Sequence, residues 1–387
     1  MQLWALLWHV RLLTDQPIAL GGIGLARILP VIVFSLIGGA VADSGDRRKI
    51  LFVTQSVMAL EALVLARLTF TGEITLWWIY LLTAIQATAL AFDLPARQAL
   101  IPNLVPAEDL PNAFSLQSIA LQVGSIVGPA LSGLVIAYWG QYYAYLINAV
   151  TFLAVVGALL LIGPIPQQTR GSGRVQVNLD DIKEGMRFIL KQPVILSSML
   201  LDFFATFFSS ANTLMPIFAR DILHVGAVEY GWLSAAQSIG AMGAAAIISQ
   251  LKEIRNQGRT LLLSVVAFGL ATIFFGLARS FAAAMVALIF IGASDSVSAI
   301  IRNTIRQLQT PDYLRGRMTS INQIFFLGGP QLGEVEAGLV AQLLGAPAAV
   351  ITGGIGCLLA VGWIARRWPQ LRNYNGDEPI RAGAMAD

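Results

Sequence analysis

Six ionisable side chains stand deep inside long apolar runs: Arg27, Glu61, Asp202, Asp295, Glu334 and Glu336. Charge in such surroundings is costly, so each is a candidate for function rather than for solubility. A carboxyl group can take up or release a proton, whereas an arginine keeps its charge. The acids are therefore the candidates for proton chemistry, and Arg27 needs an anion. Glu61 lies eleven residues into its run, roughly 16 Å along a helix, and Asp202 eight residues into its own, roughly 12 Å. Asp295 lies closer to one end of its run, and Glu334 and Glu336 lie toward the opposite end of theirs. Phe203, Phe204, Phe207 and Phe208 flank Asp202, and Phe204 and Phe208 are candidates to line an aromatic cavity for an amphiphile. The alternative for the acids is a satisfied helix–helix hydrogen bond, and for the aromatics a face turned to lipid.

Other chemistry is poorly served. No Ser/His/Asp set has a usable spacing, and no G-x-x-x-x-G-K-[ST] segment exists to cradle a nucleotide. His9 and His224 stand far apart with no cysteine nearby, and the lone Cys357 lies in an apolar run. Neither a metal site nor a cofactor is expected.

The elements that must position the six charges are membrane spans. Of 387 residues, 56% are apolar and only 12% charged, and the mean hydropathy is +0.70. Such a chain cannot cover its apolar surface in water, which excludes a soluble enzyme, a disordered chain and a nucleic-acid binder. Eleven runs are long enough to cross a hydrocarbon core of about 30 Å: 21–42, 50–70, 74–92, 116–139, 142–162, 194–217, 231–249, 260–277, 281–301, 318–344 and 346–364. A twelfth, 2–13, is apolar but short. All should be helices, because a segment in lipid must satisfy its own backbone. Counted over alternate connections, twenty of the twenty-five Lys and Arg residues fall on one side. Four (Arg11, Arg67, Arg220 and Arg279) fall on the other, with Arg27 inside a span. The basic side is the cytoplasmic one. That parity puts residues 14–17 outside, so the first helix must start inside, and it predicts that about twenty residues precede Met1 in the full-length protein.

The spans divide in two. Residues 1–163 are expected to form one six-helix bundle with a shortened first helix, and 193–365 a second, followed by a cytoplasmic tail, 366–387. Between them lies a cytoplasmic linker, 164–192, rich in Pro, Gly and Ser at its start. Its end, 178–192, has a helical period with Leu179, Ile182, Met186 and Ile189 on one face. It is expected to lie along the membrane or against the helix ends. The halves echo each other: Arg97-Gln98 with Pro102 recurs as Arg306-Gln307 with Pro311, and Gly128-Pro129 as Gly329-Pro330. Six plus six spans with a long linker is a plan of secondary transporters, which bind substrate near the midplane.

Two motifs point to a family. The segment GAVADSGDRR at 39–48 resembles the loop signature G-x-x-x-D-R-x-G-R-R of the major facilitator superfamily. Gly39, Asp43, Arg47 and Arg48 match, while Ser44 and Asp46 replace an Arg and a Gly. The segment GSIVGPALSG at 124–133 resembles the antiporter motif of that superfamily, with Gly124, Gly128, Pro129 and Gly133 in place and Ser132 for one Gly. Small residues four apart also serve simple close packing. Within the superfamily, FDLPARQALIPNLVPAEDLPNA and RQLQTPDYLRGRMTSIN are similar to the group of enterobactin exporters and transmembrane secretion effectors.

The resemblance covers nearly the whole chain. It implies an all-α membrane protein of two six-helix bundles, twelve transmembrane helices in all, and no enzyme. It implies that the cluster around Asp43, Arg47 and Arg48 latches the bundles on the cytoplasmic side. Asp43 is expected to cap a helix start there, and Asp93 to partner Arg47. It also implies that the second and eleventh helices face each other, so that Arg27 pairs with Glu336 or Glu334 when an outer gate is closed; a pair with Glu61 is the alternative. The expected function is proton-coupled export of small amphiphilic or siderophore-like molecules by alternating access in a bacterial inner membrane. Proton-coupled import, or a non-transporting assembly or receptor subunit, is the alternative. The expected partners are the lipid bilayer, a small-molecule substrate and protons, with no nucleic acid, a monomeric state, and both termini of the full-length protein in the cytoplasm.

Overall fold

The computed structural model describes residues 1–163, 186–209, 211–251, 254–311 and 314–376. These are helical almost throughout, with no strand among them. The helices are α1 (Gln2–Leu13), α2 (Pro17–Ser44), α3 (Arg47–Thr71), α4 (Leu76–Leu100), α5 (Leu110–Trp139), α6 (Gln141–Ile162), α7 (Pro193–Phe208), α8 (Ala211–Ile217), α9 (Ala227–Ile248), α10 (Gln257–Leu277), α11 (Phe281–Gln309), α12 (Arg315–Leu344), α13 (Ala346–Arg367) and α14 (Pro369–Arg372). Among the described residues, ten segments are long and apolar enough to cross a membrane. The short α1 and the 30-residue α12 stand where the other two expected spans lie.

The chain groups into two units. One comprises Met1–Val177 with Gly226–Trp232, and the other Asn178–Val225 with Leu233–Asp387. In the first, α2 packs on α4, and α3 packs on both α4 and α6. In the second, α10 packs on α11 and α13, and α12 on α7 and α13. Glycines set two of the closest approaches: a Cβ on Gly38 of α2 would lie 2.1 Å from the Ala91 carbonyl oxygen of α4, and one on Gly292 of α11 would lie 1.8 Å from that of Gln237 in α9. Only a residue without a side chain lets two backbones meet there.

The ends follow from local chemistry. Asp46 caps α3, its Oδ1 accepting from the amides of Arg48 and Lys49 at 3.1 and 3.2 Å. Asp43 belongs to the last turn of α2, and the expectation that its side chain caps a helix start falls outside the described residues. Gly140 (φ +87°) and Gly345 (φ +86°) each form a one-residue corner, between α5 and α6 and between α12 and α13. A left-handed backbone closes each helix and starts the next at once.

Among the expected boundaries that differ, three bear on the site. The fourth span does not stop at Phe92: α4 runs through Pro95 to Leu100. The tenth does not stop at Ile301 but continues to Gln309. The seventh is not one helix. α7 ends at Phe208, α8 begins at Ala211, and Pro216 is followed by a π-helical turn, Phe218–Ile222, closed by Leu223 N–H on the Phe218 carbonyl at 2.8 Å. Proline removes a helical donor and invites such a turn. Of the expected linker helix, 186–191 is helical and the part before it lies outside the described residues. Ile189 is buried there with Phe188, Ile195, Met199, Leu314 and Met318, so this end docks on helix ends rather than on lipid.

Candidate functional site

In the second unit, α7 supplies Asp202 and α11 supplies Ser298 and Arg302, all three buried. Arg302 Nη2 stands 2.9 Å from Asp202 Oδ1 and 3.7 Å from Asp295 Oδ1. Its Nη1 donates to Ser298 Oγ at 2.5 Å. The pair with Asp202 is held by charge and lacks hydrogen-bond alignment, since Asp202 Oδ1 accepts no hydrogen bond. Asp202 and Arg302 side chains are each 5% exposed, while Asp295 is 50% exposed. One guanidinium thus bridges a sealed and an open carboxylate. Asp202 and Asp295 were expected from the sequence. Arg302 was missed, because the tenth span was ended at Ile301 and Arg302 assigned to a loop. The signal that could have found it is spacing: Ser298, Arg302 and Arg306 continue the helical period of α11.

In the first unit, Glu61 is buried on α3 and accepts from Gln2 Nε2 at 2.9 and 2.8 Å. Gln2 Oε1 in turn accepts from Asn148 Nδ2. Beside these, His9 Nδ1 lies 3.1 Å from the hydroxyl of the fully buried Tyr145. The short α1 brings both Gln2 and His9 to this core. Glu61 is therefore held by neutral groups, in contrast to Asp202.

The loop signature is wired differently from expectation. Asp93, fully buried, does not pair with Arg47. Its Oδ1 accepts from Thr54 Oγ1 at 2.9 Å and Gln55 Nε2 at 2.7 Å, and its Oδ2 from Arg97 Nε at 3.1 Å and Nη2 at 2.6 Å. Continuation of α4 past Pro95 places Arg97 one turn beyond Asp93, which makes this the nearer partner. Arg47 reaches instead to the carbonyls of Ala42 and Ala99 and to Asn103 Oδ1, at 3.1, 3.0 and 2.8 Å. Arg48 donates to the Leu159 carbonyl at 2.8 Å. Together they tie α3 to α2, α4 and α6.

The aromatics near Asp202 meet other rings. Phe204 stacks edge-on to Trp363 at 6.1 Å and in parallel with Phe208 at 6.2 Å. A Cβ on Gly356 would lie 2.8 Å from the Phe208 ring. Both rings pack against α13, since positions two and six beyond Asp202 point to other faces of the helix. In the 124–133 motif, Gly133 makes the close approach: its Cβ would lie 2.4 Å from the Ala227 carbonyl and 2.8 Å from Gly231 Cα. Gly128 approaches only Met1, at 3.3 Å, and Gly124 meets nothing within 4 Å. Pro129 lies inside α5. Gly39 likewise meets nothing within 4 Å. Arg27 on α2 and Glu334 and Glu336 on α12 are half-buried.

The fold is that of transporters of the major facilitator type, as comparison with known proteins shows. A solved bacterial homologue of the human lysosomal transporter Spinster superposes with a TM-score of 0.72 at 14% identity, over 96% of both chains. The nucleoside transporter NupG superposes at 0.65 and 17% identity, over 96% of this chain and 97% of its own. The chain belongs to the transmembrane secretion effector family, whose model matches residues 1–380, and is a multi-pass membrane transporter rather than an enzyme. The enterobactin exporter EntS of Shigella boydii serotype 18 is 28% identical over 346 residues, 89% of this chain and 82% of its own. That of Citrobacter koseri is 26% identical over 351 residues, 90% and 83% respectively.

Proposed function

We propose that the protein is a proton-coupled exporter of small amphiphilic, siderophore-like molecules, working by alternating access in a bacterial inner membrane. The observation that carries the reading is the Asp202–Arg302–Asp295 cluster, a buried carboxylate that shares one cation with a half-exposed carboxylate. While Asp202 is ionised, its charge holds Arg302 and ties α7 to α11. A proton on Asp202 removes that attraction and leaves Arg302 to Asp295. The tie between the two helices is then broken by one proton, and the reverse step restores it. An arginine is suited to the middle position because it stays charged throughout. Glu61 is the second coupling candidate. Its neutral partners give a proton no cation to release, which places it behind Asp202. Export is favoured by the relatives, which are enterobactin exporters.

The test uses inside-out membrane vesicles with enterobactin as the probe and an imposed pH difference. Asp202→Asn leaves Arg302 its contact with Asp295, so the variant should still insert and fold; it should lose accumulation driven by the pH difference, while still exchanging probe down its own gradient. Full pH-driven accumulation by the Asn variant would remove Asp202 from the mechanism and leave Glu61 to be tested by Glu61→Gln.

A further inference from the structure

A groove of about 550 Å³ lies in the first unit between α2, α3 and α4. Its walls are Val41, Ile50, Val53, Val57, Ile85 and Phe92, with Ala89 at the floor. Val53 and Ile85 are exposed on the protein surface, at 59% and 38%. In a membrane protein such an apolar surface meets acyl chains. Two threonines reach the groove, but both hydroxyls are engaged. Thr54 bonds to Asp93 and to the Leu51 carbonyl, and Thr88 to the Ala84 carbonyl. The floor therefore has no hydroxyl donor to spare for a polar guest.

Charge enters at one end only. Lys49, on the first turn of α3, is the one charged residue of the lining, and its side chain is 84% exposed. It follows Arg47 and Arg48, and Asp46 beside it is engaged in capping the helix and stands 3.7 Å from Lys49 Nζ. The amino terminus of α3 adds its own positive end. The groove thus combines a dry hydrocarbon slot with a cationic rim at the end of a span, the depth at which a lipid headgroup meets its chains. Basic pockets between membrane helices are known to hold anionic headgroups.

We infer that this groove is a binding site for an anionic phospholipid of the surrounding leaflet, with an acyl chain along Val53, Val57, Ile85 and Phe92 and the headgroup phosphate on Lys49. The positive-inside parity makes that the cytoplasmic leaflet. A bound chain would lie against Thr54, whose hydroxyl holds Asp93 and through it Arg97. Loss of the lipid would then be felt at the base of α4.

The experiment uses the full chain in vesicles of equal phosphatidylglycerol and phosphatidylethanolamine, each in turn carrying a photoreactive group on the acyl chain. Labelling mapped by mass spectrometry should fall on Val53, Val57, Ile85 and Phe92. It should be roughly fivefold stronger from phosphatidylglycerol, the worth of about one lysine at an anionic surface. Lys49→Gln, on an exposed side chain, should bring the two lipids to equal labelling. Val53→Trp should block the slot and lower labelling from both. Equal labelling of wild type by the two lipids, or labelling at other helices only, would overturn the assignment. So would label that is displaced by enterobactin but not by excess unlabelled phosphatidylglycerol, because the groove would then be an entry site for exported amphiphiles.

Discussion

Two buried carboxylates, Glu61 in the first unit and Asp202 in the second, are satisfied in opposite ways. Glu61 receives both of its hydrogen bonds from one amide, Gln2, itself held by Asn148. Asp202 is matched by a full charge, Arg302, with little hydrogen-bond alignment and a competing acid 3.7 Å from the same guanidinium. A carboxylate saturated by neutral donors is a fastened structural point. A carboxylate paired only by charge is a joint that a proton can undo. The difference is why the coupling role is assigned to Asp202, and it can be broken or sharpened by experiment.

The largest effect is expected for Arg302→Leu. It strands Asp202 in the helix packing, and removing one partner of a buried pair costs about 3–5 kcal/mol. The detergent-solubilised protein should melt at clearly lower temperature, and adding Asp202→Asn should restore much of the loss. Equal melting of wild type and Arg302→Leu would end the idea that the pair matters to packing. Next in size, Gln2→Leu takes away both donors of Glu61 and should cost about 1–3 kcal/mol in the same assay, with pH-driven accumulation retained. Loss of the pH dependence in that variant would move the coupling role to the first unit.

Gly292→Ala introduces a methyl group against the Gln237 carbonyl and should destabilise by about 1–3 kcal/mol. Gly39→Ala, where no described atom stands within 4 Å of the added methyl group, should cost no stability and serves as its control. The smallest effect is expected for Thr54→Val. It removes one of four hydrogen bonds on Asp93, worth about 0.5–1.5 kcal/mol, since Gln55 and Arg97 remain. A loss as large as that of Gln2→Leu would show that Asp93 is held less redundantly than its four contacts suggest.

The sequence by itself determined the class. Hydropathy placed the spans, the basic residues gave them a parity, and the loop and fifth-helix motifs pointed to the superfamily, because lipid imposes length, helicity and charge asymmetry one segment at a time. It also singled out Asp202, Glu61 and Asp295, since a charge inside an apolar run is visible without any partner. What only the tertiary structure decided is who meets whom. Arg302 had been read as a loop cation, and it became the partner of Asp202 once α11 was seen to continue to Gln309. A span ended at Phe92 leaves both Asp93 and Arg97 outside it, and the continuation of α4 through Pro95 sets them one turn apart. Hydropathy ends a span at the first cluster of polar residues, but a helix continues wherever those residues find buried partners on neighbouring helices. Gln2 and Glu61, 59 positions apart, meet only because α1 packs into the first unit. Such pairings depend on the rotation and packing of whole helices, which no local pattern in the chain records.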